Sequence, residues 1–166
     1  MRDDSAELVA CIPRLRRYAR ALMRDVAGAD DLVQDTMERA WRRLASWRRG
    51  AAMRPWLFGI MHNLHVDRLR KAGLSTVELD EDTPQPVAAA HDTLELRDLQ
   101  TALASLAPGQ REVLLLVALE EMSYEEVAAT LAIPLGTVMS RLSRGREKLR
   151  AQMEGRPVAA PLKVVK

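Results

Sequence analysis

Between positions 137 and 148 the chain sets Thr137, Ser140, Arg141, Ser143, Arg144 and Lys148 along one helix-length of sequence. Small hydroxyls mixed with fork-shaped guanidiniums suit guanine edges and phosphate oxygens in a major groove, which is recognition chemistry rather than bond-making. Candidates for covalent or metal chemistry are few. His62 and His65 lie three apart, but no third ligand has matching spacing and the surrounding helix is basic, a poor setting for a cation. The single cysteine, Cys11, has no base near it in sequence and its default is packing. Neither a phosphate-binding glycine loop nor a nucleophile motif is found. No catalytic residue, metal, cofactor or small-molecule substrate is therefore expected.

The elements that must position the basic set can be read from spacing. Ser123 and Glu126 form an S-x-x-E capping box, so a helix is expected from there to Leu131, burying Tyr124, Val127, Ala128 and Leu131. A short "AIP" turn follows. The next helix places Val138, Leu142, Gly145 and Leu149 in one inward stripe, which leaves the basic and hydroxyl residues outward. Two helices and a tight turn at this spacing form a helix-turn-helix. Glycines at 136 and 145 would admit close approach of another backbone or of DNA.

The amino-terminal part is also helical by periodicity. Leu8, Ile12, Leu15, Tyr18, Ala19 and Leu22 recur at three- and four-residue spacing, with Pro13 demanding a kink or a break into two helices. Leu32, Val33, Met37, Ala40, Trp41 and Leu44 define a second amphipathic stretch whose opposite face carries Asp31, Gln34, Asp35, Glu38 and Arg42. Gly50 breaks the pattern, Pro55 suits the first turn of a third helix, and that helix is expected to run to about Lys71 with Leu57, Ile60, Met61 and Leu64 inward. His62 and His65 are expected at the surface or toward DNA. Leu94, Leu96, Leu99, Leu103 and Leu106, and then a helix restarting at Pro108, are expected to supply the core of the second module.

The fold class is thus all-α: two small helical domains, 1–72 and 93–152, the second containing the helix-turn-helix. Residues 73–92 hold five acids, Glu78, Asp80, Glu81, Asp82 and Asp92, with no Lys or Arg, and two prolines. They are expected to be a flexible acidic linker. Some twenty extended residues reach roughly 70 Å, enough to let two modules touch separate sites. Residues 153–166 read as a loose tail.

The net charge of +2 hides blocks of one sign, among them five arginines between Arg14 and Arg24 and the basic runs 54–71 and 141–150. One cysteine excludes an intramolecular disulfide, and the acidic start "MRDDSAELVA" does not resemble a secretory signal. With no stretch of roughly 18 apolar residues, no membrane insertion is expected and the location expected is the cytoplasm.

Three blocks carry a family resemblance: "DDLVQDTMERAW" at 30–41, "RPWLFGIMHNLHVDRLRK" at 54–71, and "LAPGQREVLLLVALEEMSYEEVAATLAIPLGTVMSRLSRGREKLR" at 106–150. In that order they resemble bacterial sigma factors of the extracytoplasmic-function group. The last block is shared by many helix-turn-helix regulators, and the first two make the resemblance specific. It implies a promoter-specificity subunit with core RNA polymerase, promoter DNA and an anti-sigma factor as partners. It implies polymerase docking through Asp31, Gln34 and Asp35. Minus-ten recognition and melting would fall to Trp47, Arg48, Arg49, Gly50 and Asn63, with Arg68, Arg70 and Lys71 on phosphates. An unstacking site wants a wedge, an amide and nearby cations, which agrees with these residue types. Minus-thirty-five reading would fall to Ser140, Arg141, Ser143 and Arg144, within the outward set that also holds Thr137 and Lys148. The loop "RRGAAMRP" lacks the phenylalanine often found there. Two other classes are a dimeric regulator binding duplex DNA without polymerase, and a sigma-like decoy that sequesters an anti-sigma factor. The expected lack of an appended receiver domain disfavours the decoy, and the polar face at 31–35 would be unexplained in the regulator.

Overall fold

The computed structural model describes residues 2–23, 25–47, 50–73 and 94–155. Eight α-helices and no strand are found among them. They are α1 (Arg2–Ala10), α2 (Ile12–Leu22), α3 (Val26–Arg43), α4 (Met53–Lys71), α5 (Leu94–Ala104), α6 (Pro108–Ala118), α7 (Tyr124–Leu131) and α8 (Leu135–Met153). The expected linker lies outside the described residues from position 74 to 92, and the expected tail does so from 156.

Local chemistry sets the boundaries. Pro13 sits in the first turn of α2, so the expected interruption is a break between two helices at Cys11. Asp25 caps α3 by accepting from the Gly28 amide at 2.7 Å. The capping box at α7 is formed in both directions, with the Ser123 hydroxyl accepting from the Glu126 amide and the Glu126 carboxylate from the Ser123 amide. The turn between α7 and α8 is closed by Ala132 in the left-handed region, φ 54°, and Pro134 stands just before α8.

The amino-terminal helices α2, α3 and α4 pack on one another around Leu15, Tyr18, Leu22, Leu32, Leu57, Phe58 and Met61. Tyr18 and Phe58 meet edge to face, ring centroids 4.9 Å apart. In the carboxyl-terminal half α6 is buried along most of its length between α7 and α8, around Val113, Leu116, Val127, Val138 and Leu142. The buried side chains of both halves belong to one continuous cluster, because α2 packs on α6 and α4 on α7.

That seam is strongly polar. Glu120 is 0% exposed and accepts from the guanidiniums of Arg14, at 3.5 Å, and Arg17, at 3.3 Å. Glu112 meets His62 Nδ1 at 2.6 Å. Arg111 reaches across to the Leu22 carbonyl at 3.1 Å. Gly59 brings α4 so close to α7 that an added Cβ would stand 3.5 Å from the Thr130 carbonyl oxygen.

The seam corrects several expectations drawn from helix phase alone. His65 is not at the surface: it is buried at 5% exposure, and His62 is half-buried against Glu112. A helix face counts as outward only if nothing covers it, and α6 and α7 cover this one. Trp41 is 59% exposed rather than inward, and Leu96 and Leu99 of α5 are also exposed, so α5 contributes to the core chiefly through Ala102 and Leu103.

Candidate nucleic-acid and protein interface

On α8, Val138, Leu142 and Gly145 turn inward as their spacing requires. Gly145 lies 3.5 Å, measured from an added Cβ, from the Gln110 backbone oxygen, so it serves helix packing, whereas Gly136 faces open space. Ser140, Ser143 and Arg144 are exposed, and the unanticipated Met139, also exposed, lies one turn from Ser143 at the edge of their face. Thr137, Arg141 and Lys148, half-buried, adjoin Ser140 and Arg144 on the side away from Met139. Arg141 and Lys148 there make further interactions within the chain. The structure therefore divides the six expected residues into an open group and a partly covered one. Arg146, also exposed and not anticipated, donates weakly to the Tyr124 hydroxyl at 3.5 Å. Its side chain borders a shallow groove of about 320 Å³ between α7 and α8, lined by Tyr124, Met139, Leu142 and Ser143.

On α3, Asp31 and Gln34 are exposed with no hydrogen-bond or ion-pair partner among the described residues. Asp35 differs. It pairs with Arg68 of α4, whose other terminal nitrogen donates to the Gly28 carbonyl at 3.3 Å. Two expected contacts, one for protein and one for phosphate, thus fasten α3 to α4.

Around the start of α4, Gly50 has φ +97° with nothing near a would-be Cβ, so its backbone conformation and not space asks for glycine. Trp47 is half-buried against the core, tilted 41° to Trp56 with centroids 6.5 Å apart. Its indole nitrogen is buried with no partner among the described residues. Arg48 and Arg49 lie outside those residues. Asn63, Arg70 and Lys71 are exposed along α4 and at its end.

Burial pushes the Cys11 thiol up, aided by Glu7, which leaves it protonated and a weak nucleophile. Burial also raises Tyr18 well above the ordinary phenol range. His65 is lowered by burial, with smaller contributions in the same direction from Arg111, His62 and Arg68 and an opposing one from Glu112. Its two ring nitrogens have no partner among the described residues. A neutral, enclosed imidazole has no route to a substrate. No group of three potential ligands for a metal ion is found among the described residues, and none of their helices is long and apolar enough to cross a membrane.

Two families match the chain: one described as "Sigma2 domain of PhyR" over residues 8–62, and one as "Sigma-70, region 4" over residues 96–149. The chain is 37% identical over 156 residues to the ECF RNA polymerase sigma factor EcfG of Rhodopseudomonas palustris, covering 91% of this chain and 83% of that protein. Its fold is similar to the sigma factor RpoE of Bartonella quintana, solved in complex with the anti-sigma factor NepR. The TM-score is 0.78 and the identity 33%, over 93% of this chain and 98% of that one. It is also similar in fold to the anti-anti-sigma factor PhyR of the same organism, complexed with NepR. Here the TM-score is 0.61 and the identity 16%, over 89% of this chain and 49% of that one.

Proposed function

The chain belongs to the extracytoplasmic-function group of RNA polymerase sigma factors, and from that premise we propose how its surfaces divide the work of a promoter-specificity subunit. A sigma factor is not an enzyme class: it acts by binding core polymerase, reading promoter DNA and separating its strands. The exposed edge of α3, Asp31 and Gln34, docks on core polymerase, while Asp35 holds that edge against α4 through Arg68. Residues 1–72 form the module that opens the minus-ten element. Asn63, with Trp47, Arg48, Arg49 and Gly50, holds an unstacked base, and Arg70 and Lys71 neutralise phosphates. Residues 93–152 form the module that reads the minus-thirty-five element through Ser140, Ser143 and Arg144 in the major groove. Thr137, Arg141 and Lys148 support that helix from its covered flank.

Engaging two separated elements requires the seam to part, and the segment 73–92 then spans the gap. The packed form is the one an anti-sigma factor holds; the similar Bartonella sigma factor was solved in complex with the anti-sigma factor NepR. All of this takes place in the cytoplasm, where polymerase and promoter are.

One observation carries the reading: Asp31 and Gln34, one turn apart on α3, are exposed with no partner among the described residues, beside an Asp35 that is paired to Arg68. A buried or merely solubilising face would not need an acid and an amide one turn apart on the edge of a well-packed helix pair. The test is titration of labelled core RNA polymerase with the protein and with Asp31→Arg/Gln34→Ala. Tight binding by the parent and a loss of at least about tenfold in the variant are expected, the usual scale for centrally placed interface residues. Equal affinities would remove the assignment of this face.

A second reading has its own support, since the amino-terminal match is to the sigma-like domain of PhyR. A decoy of that kind would bind an anti-sigma factor tightly and core polymerase not at all. The same titration separates the two, and the higher TM-score and identity to the sigma factor favour the first.

A further inference from the structure

Met139 is left unused by hydrogen-bond reading of DNA, yet it stands at the edge of the face assigned to it. Its side chain is 53% exposed, directly before Ser140 and one turn before Ser143. The apolar requirement of α8 is already met by Val138, Leu142 and Gly145 on the inward side, so the core does not ask for a methionine here. Scattered apolar residues on a surface are ordinary; the position of this one is what matters. It is bounded on one side by the groove between α7 and α8 and on the other by two hydroxyls and a guanidinium. The ten residues from Arg141 to Arg150 carry five cations against one carboxylate, so the occupant of this face is polyanionic.

A duplex offers one apolar group in its major groove, the C5 methyl of thymine. A thioether is too weak an acceptor and has no donor with which to read the polar edge of any base. Its unbranched, polarisable stem adapts to a methyl group without demanding a single geometry. We propose that Met139 is a specificity-determining residue that packs on the C5 methyl of a thymine in the minus-thirty-five element, beside the bases addressed by Ser140, Ser143 and Arg144. Its role rests on α8 being the recognition helix of the promoter-specificity subunit.

The test uses holoenzyme assembled from the full chain and core polymerase. Templates are selected by binding from a library randomised across the upstream element, and each selected thymine is then replaced singly by deoxyuridine, which lacks only the methyl. At one position the parent should lose affinity about fourfold, the worth of one methyl-sized group removed from contact. Met139→Ala should lose its thymine preference at that position alone and show no further response to deoxyuridine there. Two results would overturn the proposal: no thymine whose methyl matters, or a Met139→Ala effect spread evenly over the element. Arg144→Ala is the control for the premise. If it leaves selection across the whole element intact, or if the parent selects no upstream sequence at all, the recognition-helix assignment itself fails and Met139 with it.

Discussion

Arg111 ties the two halves of the molecule together, and its replacement by methionine has a calculable effect. The guanidinium is buried, 5% exposed. It donates to the carbonyls of Leu103 at 2.8 Å, Ala104 at 2.8 Å, Leu106 at 2.9 Å and Leu22 at 3.1 Å. Two of these acceptors close the last turn of α5, and one belongs to the end of α2, where helical carbonyls have no partner of their own. Methionine preserves the unbranched stem and its apolar contacts but offers no donor. The Leu103 carbonyl keeps the Leu106 amide at 3.2 Å, and the other three acceptors, left without donors, lose ~3 kcal/mol at the lower end of the range for buried groups, ~1 each. Removing a charge held out of water returns part of this, and a net loss of about 2 kcal/mol remains. For a chain of this length that lowers the melting temperature by about 4–8 °C. Urea unfolding followed by circular dichroism measures the loss across all helices. Tryptophan fluorescence measures it in the first half alone, because Trp41, Trp47 and Trp56 all lie there. Both signals should move, since the Leu22 carbonyl is on α2. A loss under about 1 kcal/mol, less than one net hydrogen bond, would mean that the buried guanidinium does not tie the halves together.

Two other perturbations probe the same seam. Because burial holds the folded-state His65 below the ordinary histidine value, the folded chain takes up its proton later than the unfolded chain. Its contribution to stability is then complete above about pH 6.5 and declines as the pH falls below that, by at most ~1.4 kcal/mol per pH unit. His65→Leu should flatten the decline between pH 6.5 and 5 and leave stability at pH 7 equal or higher, as two unpartnered nitrogens are removed; an unchanged slope in urea unfolding would contradict this. Gly59→Glu places a carboxylate against the Thr130 carbonyl across α4 and α7, and the radius of gyration by small-angle X-ray scattering should rise with helicity preserved, whereas an unchanged radius would mean the seam is not held at this point.

Helices α2, α3, α4, α7 and α8 are legible because each buries a stripe at fixed spacing, and several helix ends because Ser123, Glu126, Pro13 and Pro108 act within one turn of chain. What helix phase cannot disclose is the partner of a face. Glu112 and Glu120 sit in the run "REVLLLVALEEM" as ordinary surface acids would, and only the approach of α2 and α4 turns them into buried anchors for arginines and a histidine. The same blindness put His65 outside and Trp41 inside. Met139 was passed over because the polar residues around it supplied a sufficient recognition set, and its signal was a large apolar side chain off the inward stripe. Arg68 and Asp35 carried charges suited to separate partners, and nothing in their spacing told that they meet each other.

As a sigma factor, this chain directs initiation. Its most direct measurement is transcription in vitro from fragmented genomic DNA with core RNA polymerase and the purified protein, with new start sites mapped. Start sites preceded by a shared pair of elements, lost on Arg144→Ala or Asn63→Ala, are the predicted result. Tight binding to polymerase or to an anti-sigma factor with no new start sites would mean that the chain binds its partners without directing initiation.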